Sequence, residues 1–309
     1  MTTQKQKPTL ESTLKSADTE EFIDIHFYRP IGYRWALFFD KIGVTPNQIT
    51  IASIFIGIAS GICFYFDELW IKILGICLLI WANSYDSADG QLARMTGQKS
   101  ELGRILDGAC GMFWFIAIYI ALILHLWPEW NFYILLLALA AGISHGAQTQ
   151  MADYYRNIHL LFLKGKNGSE LEKTKDLRIR YKHVRWGKSP VTKFFEYNYL
   201  NYTKGQESRA PHFLKMMQTL QNQYDGIAPG WFRTEFREQS LPLMKYTNML
   251  SFNLRAIVLF ISVLSGFHWT YFVFELTVMN LMLLYMIRKH EKICTCFTQK
   301  IENIDAECK

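Results

Sequence analysis

No lysine or arginine occurs in the links at 66–69, 128–131 and 266–269, and no acidic residue occurs between Gly108 and Pro128. The first gap excludes these links from the cytoplasmic side of a membrane, where basic residues accumulate. The second removes any carboxylate from one long apolar stretch. A cleavable leader is not expected either, because Met1 to Glu21 is polar. Cysteine is scarce. Cys63, Cys77 and Cys110 fall in apolar stretches, and Cys294, Cys296 and Cys308 lie near the C-terminus. A disulfide framework is excluded for a cytoplasmic tail, and Cys294-x-Cys296 is too closely spaced for an ordinary zinc knuckle. No internal repeat is present.

What is abundant is apolar and aromatic surface: 50% and 15% of 309 residues, high for a soluble domain. A near-zero mean hydropathy hides sharp segregation. Six stretches are long enough to cross about 30 Å of hydrocarbon: Gln48 to Phe66, Trp70 to Met95, Gly103 to Trp127, Trp130 to Ala152, Tyr246 to Phe267 and Trp269 to Arg288. Trp70, Trp127, Trp130 and Trp269 mark their ends, as an aromatic belt requires. Nearly all Lys and Arg sit in the N-terminal arm, the Lys99–Arg104 link, the segment after Asp153 and the tail, and only Lys72 lies close to the short links. Both termini are therefore expected in the cytoplasm.

The fold expected is an all-α integral membrane protein with six transmembrane helices. Residues 1–47 form a cytoplasmic arm with an interfacial amphipathic helix, and 48–152 carry helices one to four. A basic cytoplasmic insert fills 153–245, helices five and six fill 246–288, and 289–309 form a cytoplasmic tail. Glu20 to Ile42 supplies the interfacial segment, mixing Ile23, Phe27, Ile31 and Trp35 with Arg29, Arg34 and Lys41. Pro30 either interrupts its helix or starts it.

Asp86, Asp89 and Asp107 lie inside these apolar segments. A carboxylate at membrane depth is costly to keep ionised without partners, which marks the three as functional. Asp86 and Asp89 share a helix face at i, i+3. Thr96 to Ser100 reads as a turn, and Asp89 and Asp107 are equidistant from Gln98. At about 1.5 Å per residue, an antiparallel pair brings both acids to one depth. Such oxygen ligands suit Mg²⁺ and bridge it to phosphates. Arg94 adds a fixed positive charge suited to phosphate or to one of the acids.

Asp86, Asp89, Gly90, Ala93, Arg94, Gly103 and Asp107 match in type and spacing the signature D-x2-D-G-x2-A-R-x8-G-x3-D-x3-D, and in this the chain resembles the CDP-alcohol phosphotransferase family. The signature's last aspartate falls at 111, which is Gly111 here. The resemblance implies that Asp86, Asp89 and Asp107 ligate Mg²⁺ or Mn²⁺. It also implies that Asp89, Gly90, Ala93, Arg94 and Gly103 line the site of a CDP-linked donor, and that the chain is a homodimer. The base that the family's last aspartate supplies toward the acceptor hydroxyl has no obvious owner. Pro46, Asn47 and Thr50 match a further family element. Asn47 either touches the nucleotide or serves the helix start.

Beyond the signature, His145, Gln148 and Thr149 are polar within the fourth span. They form either a buried helix–helix network or an acceptor pocket. His145 is the available substitute base, because imidazole titrates near neutrality. Arg255, deep in the fifth span, faces protein, water or phosphate, or snorkels to the surface. The insert carries Arg178, Arg180, Lys182, His183, Arg185 and Lys188 with Tyr181 and Trp186, with helices expected at 170–184 and 213–224. Anionic lipid heads are its plain partner. Nucleic acid is disfavoured, since no recognition signature is present.

The expected function is a membrane phosphotransferase of phospholipid biosynthesis. It would move a substituted phosphate from a CDP-alcohol, first of all CDP-diacylglycerol, to an alcohol acceptor with release of CMP. The alternative is a catalytically impaired relative that binds nucleotide or lipid as a partner or sensor, for which Gly111 speaks. An ion carrier would explain neither Gly90 and Ala93 nor the offsets of Arg94 and Gly103.

Overall fold

Thr45, in extended conformation, caps the first membrane-length helix. Its amide donates to Gln48 Oε1 at 2.9 Å, while Pro46 takes the first helical position, where no amide donor is required. The computed structural model describes residues 9–13, 16–98, 101–165, 168–184 and 190–307. Lys99, Ser100, Arg185, Trp186, Lys188 and Cys308, named above, lie outside the described residues. The helices are α1 (Arg29–Lys41), α2 (Pro46–Cys63), α3 (Leu69–Thr96), α4 (Glu101–Trp130), α5 (Phe132–Lys164), α6 (Thr174–His183), α7 (Pro190–Ser208), α8 (Pro211–Tyr224), α9 (Gly230–Met249), α10 (Phe252–Leu264), α11 (Trp269–Phe274) and α12 (Asn280–Glu307). No strand occurs among the described residues. Among the described residues six segments are long and apolar enough to cross a membrane: Pro46–Cys63, Leu69–Thr96, Leu106–Trp130, Phe132–Lys164, Gly230–Leu264 and Trp269–Asn303.

The chain divides into two compact units. The first comprises Met1–Gly142 and Ala256–Phe274. Within it α2 packs on α3 and α4, and α1 packs on α3. Small residues permit the α2–α4 approach: a Cβ at Gly57 would overlap the Trp114 indole, and one at Gly61 would lie 2.8 Å from the Ala117–Ile118 backbone. Trp114 Nε1 donates to the Ser53 carbonyl at 3.0 Å, which satisfies the one polar atom of a buried indole. Gly97, at φ +73°, takes the left-handed conformation that ends α3. Lys72, the stray base of the lysine-poor side, turns back to Asp67 at 3.3 Å.

The second unit comprises Ile143–Arg255 and Glu275–Lys309. Here α12 packs against α8 and α9 over buried Tyr154, Tyr155, Phe213, Phe232, Phe236 and Phe297. Three expectations are corrected in this unit. The fourth span does not end at Ala152 but continues as helix to Lys164, because Tyr154, Tyr155, Ile158 and Phe162 extend its buried stripe. The residues that follow Lys164 are also built of helices, including an α7 not foreseen. The fifth span is not one helix: α9 begins at Gly230, and the chain breaks at Leu250–Ser251 before α10. A π-helical turn, Glu275–Met279, also interrupts the sixth. At the N-terminus Pro30 starts α1, and a π-helical turn, Asp24–Tyr28, precedes it.

Candidate active site

The helix pair α3 and α4 brings the three aspartates together. One carboxylate oxygen from each of Asp86, Asp89 and Asp107 lies within 4.8 Å of the others. Their environments differ: Asp89 is 2% exposed, Asp86 is half-buried, and Asp107 is exposed. Buried ionised groups need a partner or a cation. Thr50, on α2, provides part of this. Its hydroxyl lies against Asp89 Oδ2, and 3.1 Å from the Pro46 carbonyl. The resulting set is oxygen-only, half open and concentrated in negative charge, which is the donor chemistry a hard divalent ion requires. The residues present therefore fit Mg²⁺ or Mn²⁺.

Arg94 stands one turn beyond Gly90. A Cβ at Gly90 would come within 3.3 Å of its Nη1, so the glycine makes room for the guanidinium. Arg94 Nε donates to the Thr13 carbonyl at 2.5 Å. The arm is fastened at other points too. Arg29 binds Glu20 through two nitrogens, at 2.9 and 3.2 Å, and donates to Ser87 Oγ at 3.3 Å, between the two signature acids of α3. Gln91 Nε2 donates to the Arg29 carbonyl at 3.1 Å. Gly32 permits this contact, since a Cβ there would sit 2.8 Å from Ser87 Oγ. Glu20, Gln91 and Thr50 had no role in the sequence reading, although Thr50 stood within the Pro46–Asn47 element. Helix-start capping at α2 belongs to Thr45 and Gln48, while Asn47 is half-buried in the first turn. Ala93 and Gly103 are half-buried on α3 and α4. Gly111 lies one turn beyond Asp107, and a Cβ built on it meets nothing within 4 Å.

The second unit holds a different polar cluster. Arg255 is fully buried, and so is Glu275. Arg255 Nη1 lies 2.6 and 2.5 Å from the two Glu275 oxygens. Its Nη2 donates to Gln148 Oε1 at 2.8 Å and to the Leu250 carbonyl at 3.1 Å, and its Nε to the Ser251 carbonyl at 3.1 Å. The break between α9 and α10 thus frees carbonyls that the guanidinium takes up. Gln148 Nε2 donates to the Glu275 carbonyl at 2.9 Å and to Asn280 Oδ1 at 2.8 Å. The phosphate-facing and snorkelling readings of Arg255 are therefore corrected: its donors are committed inside the protein. Of the polar residues of the fourth span, His145 and Gln148 join this network. Thr149 bonds back to the His145 carbonyl at 3.0 Å. His145 Nδ1 lies 2.8 Å from Arg255 Nη1 and 3.4 Å from Glu275 Oε1. A guanidinium only donates, so in its contact with Arg255 the Nδ1 atom is the acceptor. Glu275 went unnoticed in the sequence, yet it is the sole acid between Tyr246 and Arg288. That isolation was the available signal.

In the insert, Arg180 pairs with Glu196 at 2.8 Å and Glu172 at 3.2 Å. Burial works against its charge, but the two carboxylates outweigh burial and raise its pKa above the ordinary value. Arg178, Lys182 and His183 remain exposed.

Residues 43–159 match the CDP-alcohol phosphatidyltransferase family. A bifunctional IPC transferase and DIPP synthase of Aquifex aeolicus is 27% identical over 177 residues, covering 54% of this chain and 40% of that protein. An archaetidylinositol phosphate synthase of Pyrococcus horikoshii is 37% identical over 67 residues, covering 22% of this chain and 34% of that protein. The chain thus spans well under half the length of these curated relatives. No solved structure matches it. The matched stretch holds α2, α3 and α4 with the whole aspartate cluster, and in that stretch the chain is similar to the CDP-alcohol phosphatidyltransferase family.

Proposed function

We propose that this protein is a multi-pass membrane phosphotransferase that transfers the phosphoryl-alcohol part of a CDP-alcohol to a second alcohol and releases CMP. The observation that carries the reading is the convergence of Asp86, Asp89 and Asp107 within 4.8 Å on the family-matched helices. Asp86, Asp89 and Asp107 would hold Mg²⁺ or Mn²⁺, which on binding neutralises charge developing on the donor's diphosphate. Thr50 orients Asp89. Arg94, with Gly90 and Ala93 leaving space beside it, offers a positive charge to the phosphates, and Asn47 and Gly103 line the same donor site. The acceptor hydroxyl attacks the phosphorus that stays with the alcohol. The P–O bond to CMP breaks, CMP leaves with its electron pair, and the acceptor hydroxyl's proton passes to solvent.

Lysine and arginine distribution supports a site opening toward the cytoplasm, where a nucleotide-linked donor is available. CDP-diacylglycerol with a small polar alcohol is the favoured pair. The name of the Pyrococcus relative carries an inositol phosphate group, and exposed Arg178 and Lys182 suit a phosphorylated acceptor. They equally suit anionic lipid heads. Family resemblance favours a homodimer. One observation favours a second reading, a relative that binds donor without turnover: Gly111 stands where the family's proton acceptor belongs, and His145 Nδ1 is already taken by Arg255.

Purified protein supplied with Mg²⁺ or Mn²⁺, CDP-diacylglycerol and a panel of polar alcohols and their phosphates should release CMP. Chelation should stop it. CDP-donor binding without CMP release across the whole panel would favour the second reading. Neither binding nor release would end both.

A further inference from the structure

Away from the aspartate cluster, α12 carries a second group of ligand-type side chains. His290, Glu291 and Cys294 each offer an atom within 4.8 Å of the others. All three are buried: His290 is 1% exposed, Glu291 8% and Cys294 0%. Positions i, i+1 and i+4 occupy one continuous arc of a helix. His290 Nδ1 and Cys294 Sγ are 3.6 Å apart. Metal–ligand lengths of about 2.0 Å to nitrogen and about 2.3 Å to sulfur at a tetrahedral angle require roughly 3.5 Å between the two donors.

Charge points the same way. Glu291 accepts from the amides of His212 at 2.7 Å and Phe213 at 3.4 Å, at the start of α8. Among the described residues no cation pairs with it. Buried carboxylates are ordinarily paired or bound to metal. The imidazole packs among the rings of Tyr155 at 4.4 Å, Phe213 at 6.2 Å and Phe236 at 6.2 Å. His290 Nε2 and the Tyr155 hydroxyl are buried with no hydrogen-bond partner. Protein hydrogen bonds therefore leave these two polar atoms unaccounted for.

We propose that His290, Glu291 and Cys294 bind a borderline-soft transition ion, Zn²⁺ by preference. The nitrogen, oxygen and sulfur donors distinguish this site from the all-oxygen aspartate cluster. On binding, the Cys294 thiol gives its proton to solvent and the thiolate enters the coordination shell. Glu291 would then link the ion to the first turn of α8, fixing α8 on α12. Cys296 takes no part, for it is exposed while Cys294 is buried. The site stands independently of the transferase reading.

The full-length protein, reduced, metal-stripped and held in detergent, would be titrated with Co²⁺. A single equivalent should produce thiolate-to-cobalt charge-transfer absorption. Zn²⁺ should abolish the band, and a large excess of Mg²⁺ should not. Cys294→Ser should lose the band, whereas Cys296→Ser and Asp86→Asn should keep it. A chain with Cys294 as its sole cysteine should also keep it, which secures the assignment if Cys294→Ser fails to fold. Absence of the band in the unsubstituted protein overturns the proposal. So does its survival in Cys294→Ser or its loss in the single-cysteine chain.

Discussion

Two buried carboxylates in this protein, Glu275 and Asp89, meet the same electrostatic problem in opposite ways. Glu275 is matched by Arg255, and the guanidinium's nitrogens are shared among Glu275, Gln148 and two backbone carbonyls. That cluster is closed and neutral, and needs nothing from outside. Asp86, Asp89 and Asp107 converge with a hydroxyl against the deepest of them. Arg94, the signature's own cation, spends one donor on the Thr13 carbonyl. The contrast teaches that a buried carboxylate is not by itself a site; what marks one here is the convergence of three carboxylates on one point.

Asp89→Asn tests the open cluster most severely. It removes charge from the deepest acid, and we expect CMP release to fall by about a thousandfold or more, near 4 kcal/mol of transition-state stabilisation. Unchanged turnover in a steady-state assay would remove Asp89 from the mechanism. Glu275→Gln breaks the closed cluster instead. Loss of one partner of a buried pair costs roughly 3–5 kcal/mol, read as a lowered unfolding midpoint in detergent. The double change Arg255→Met with Glu275→Leu should recover much of that stability, and failure to recover would show that the pair has a role besides its own neutrality. Gly111→Asp asks whether the missing carboxylate limits the rate. The position has space for a side chain, and an added general base is worth about 10²–10⁴-fold, so a gain approaching that range is expected. Thr50→Val is the mildest probe. A lost hydrogen bond to a charged group costs about 1.5–3 kcal/mol, expected mainly as weaker metal dependence of CMP release rather than as unfolding.

Much of this was legible in the sequence because membrane depth penalises charge. Asp86, Asp89 and Asp107 announced themselves against apolar surroundings, and helical periodicity predicted that they would meet. The first three spans are recovered within a few residues of their expected ends. Later elements were harder to read. Tyr154, Tyr155 and Ile158 continue α5, but interspersed Asp153, Arg156 and Asn157 masked the stripe in a hydropathy reading. The break at Leu250–Ser251 contains neither proline nor glycine, and it is stabilised by Arg255, for which the sequence left protein, water and phosphate open as partners. Contacts such as Thr50 to Asp89 or Arg94 to Thr13 join residues 39 and 81 positions apart, and no local pattern specifies them. The His290, Glu291 and Cys294 group is hidden in the sequence behind the Cys294-x-Cys296 spacing, whose two cysteines face different surroundings, Cys294 buried and Cys296 exposed.

The pairing of Arg255 with Glu275 also bears on how the chain is made. A ribosome delivers the guanidinium twenty residues before the carboxylate that neutralises it. Until the later segment emerges, the earlier one carries a lone cation that lipid strongly disfavours. The fifth and sixth segments are accordingly expected to leave the insertion machinery together, as a hairpin whose two ends have already met.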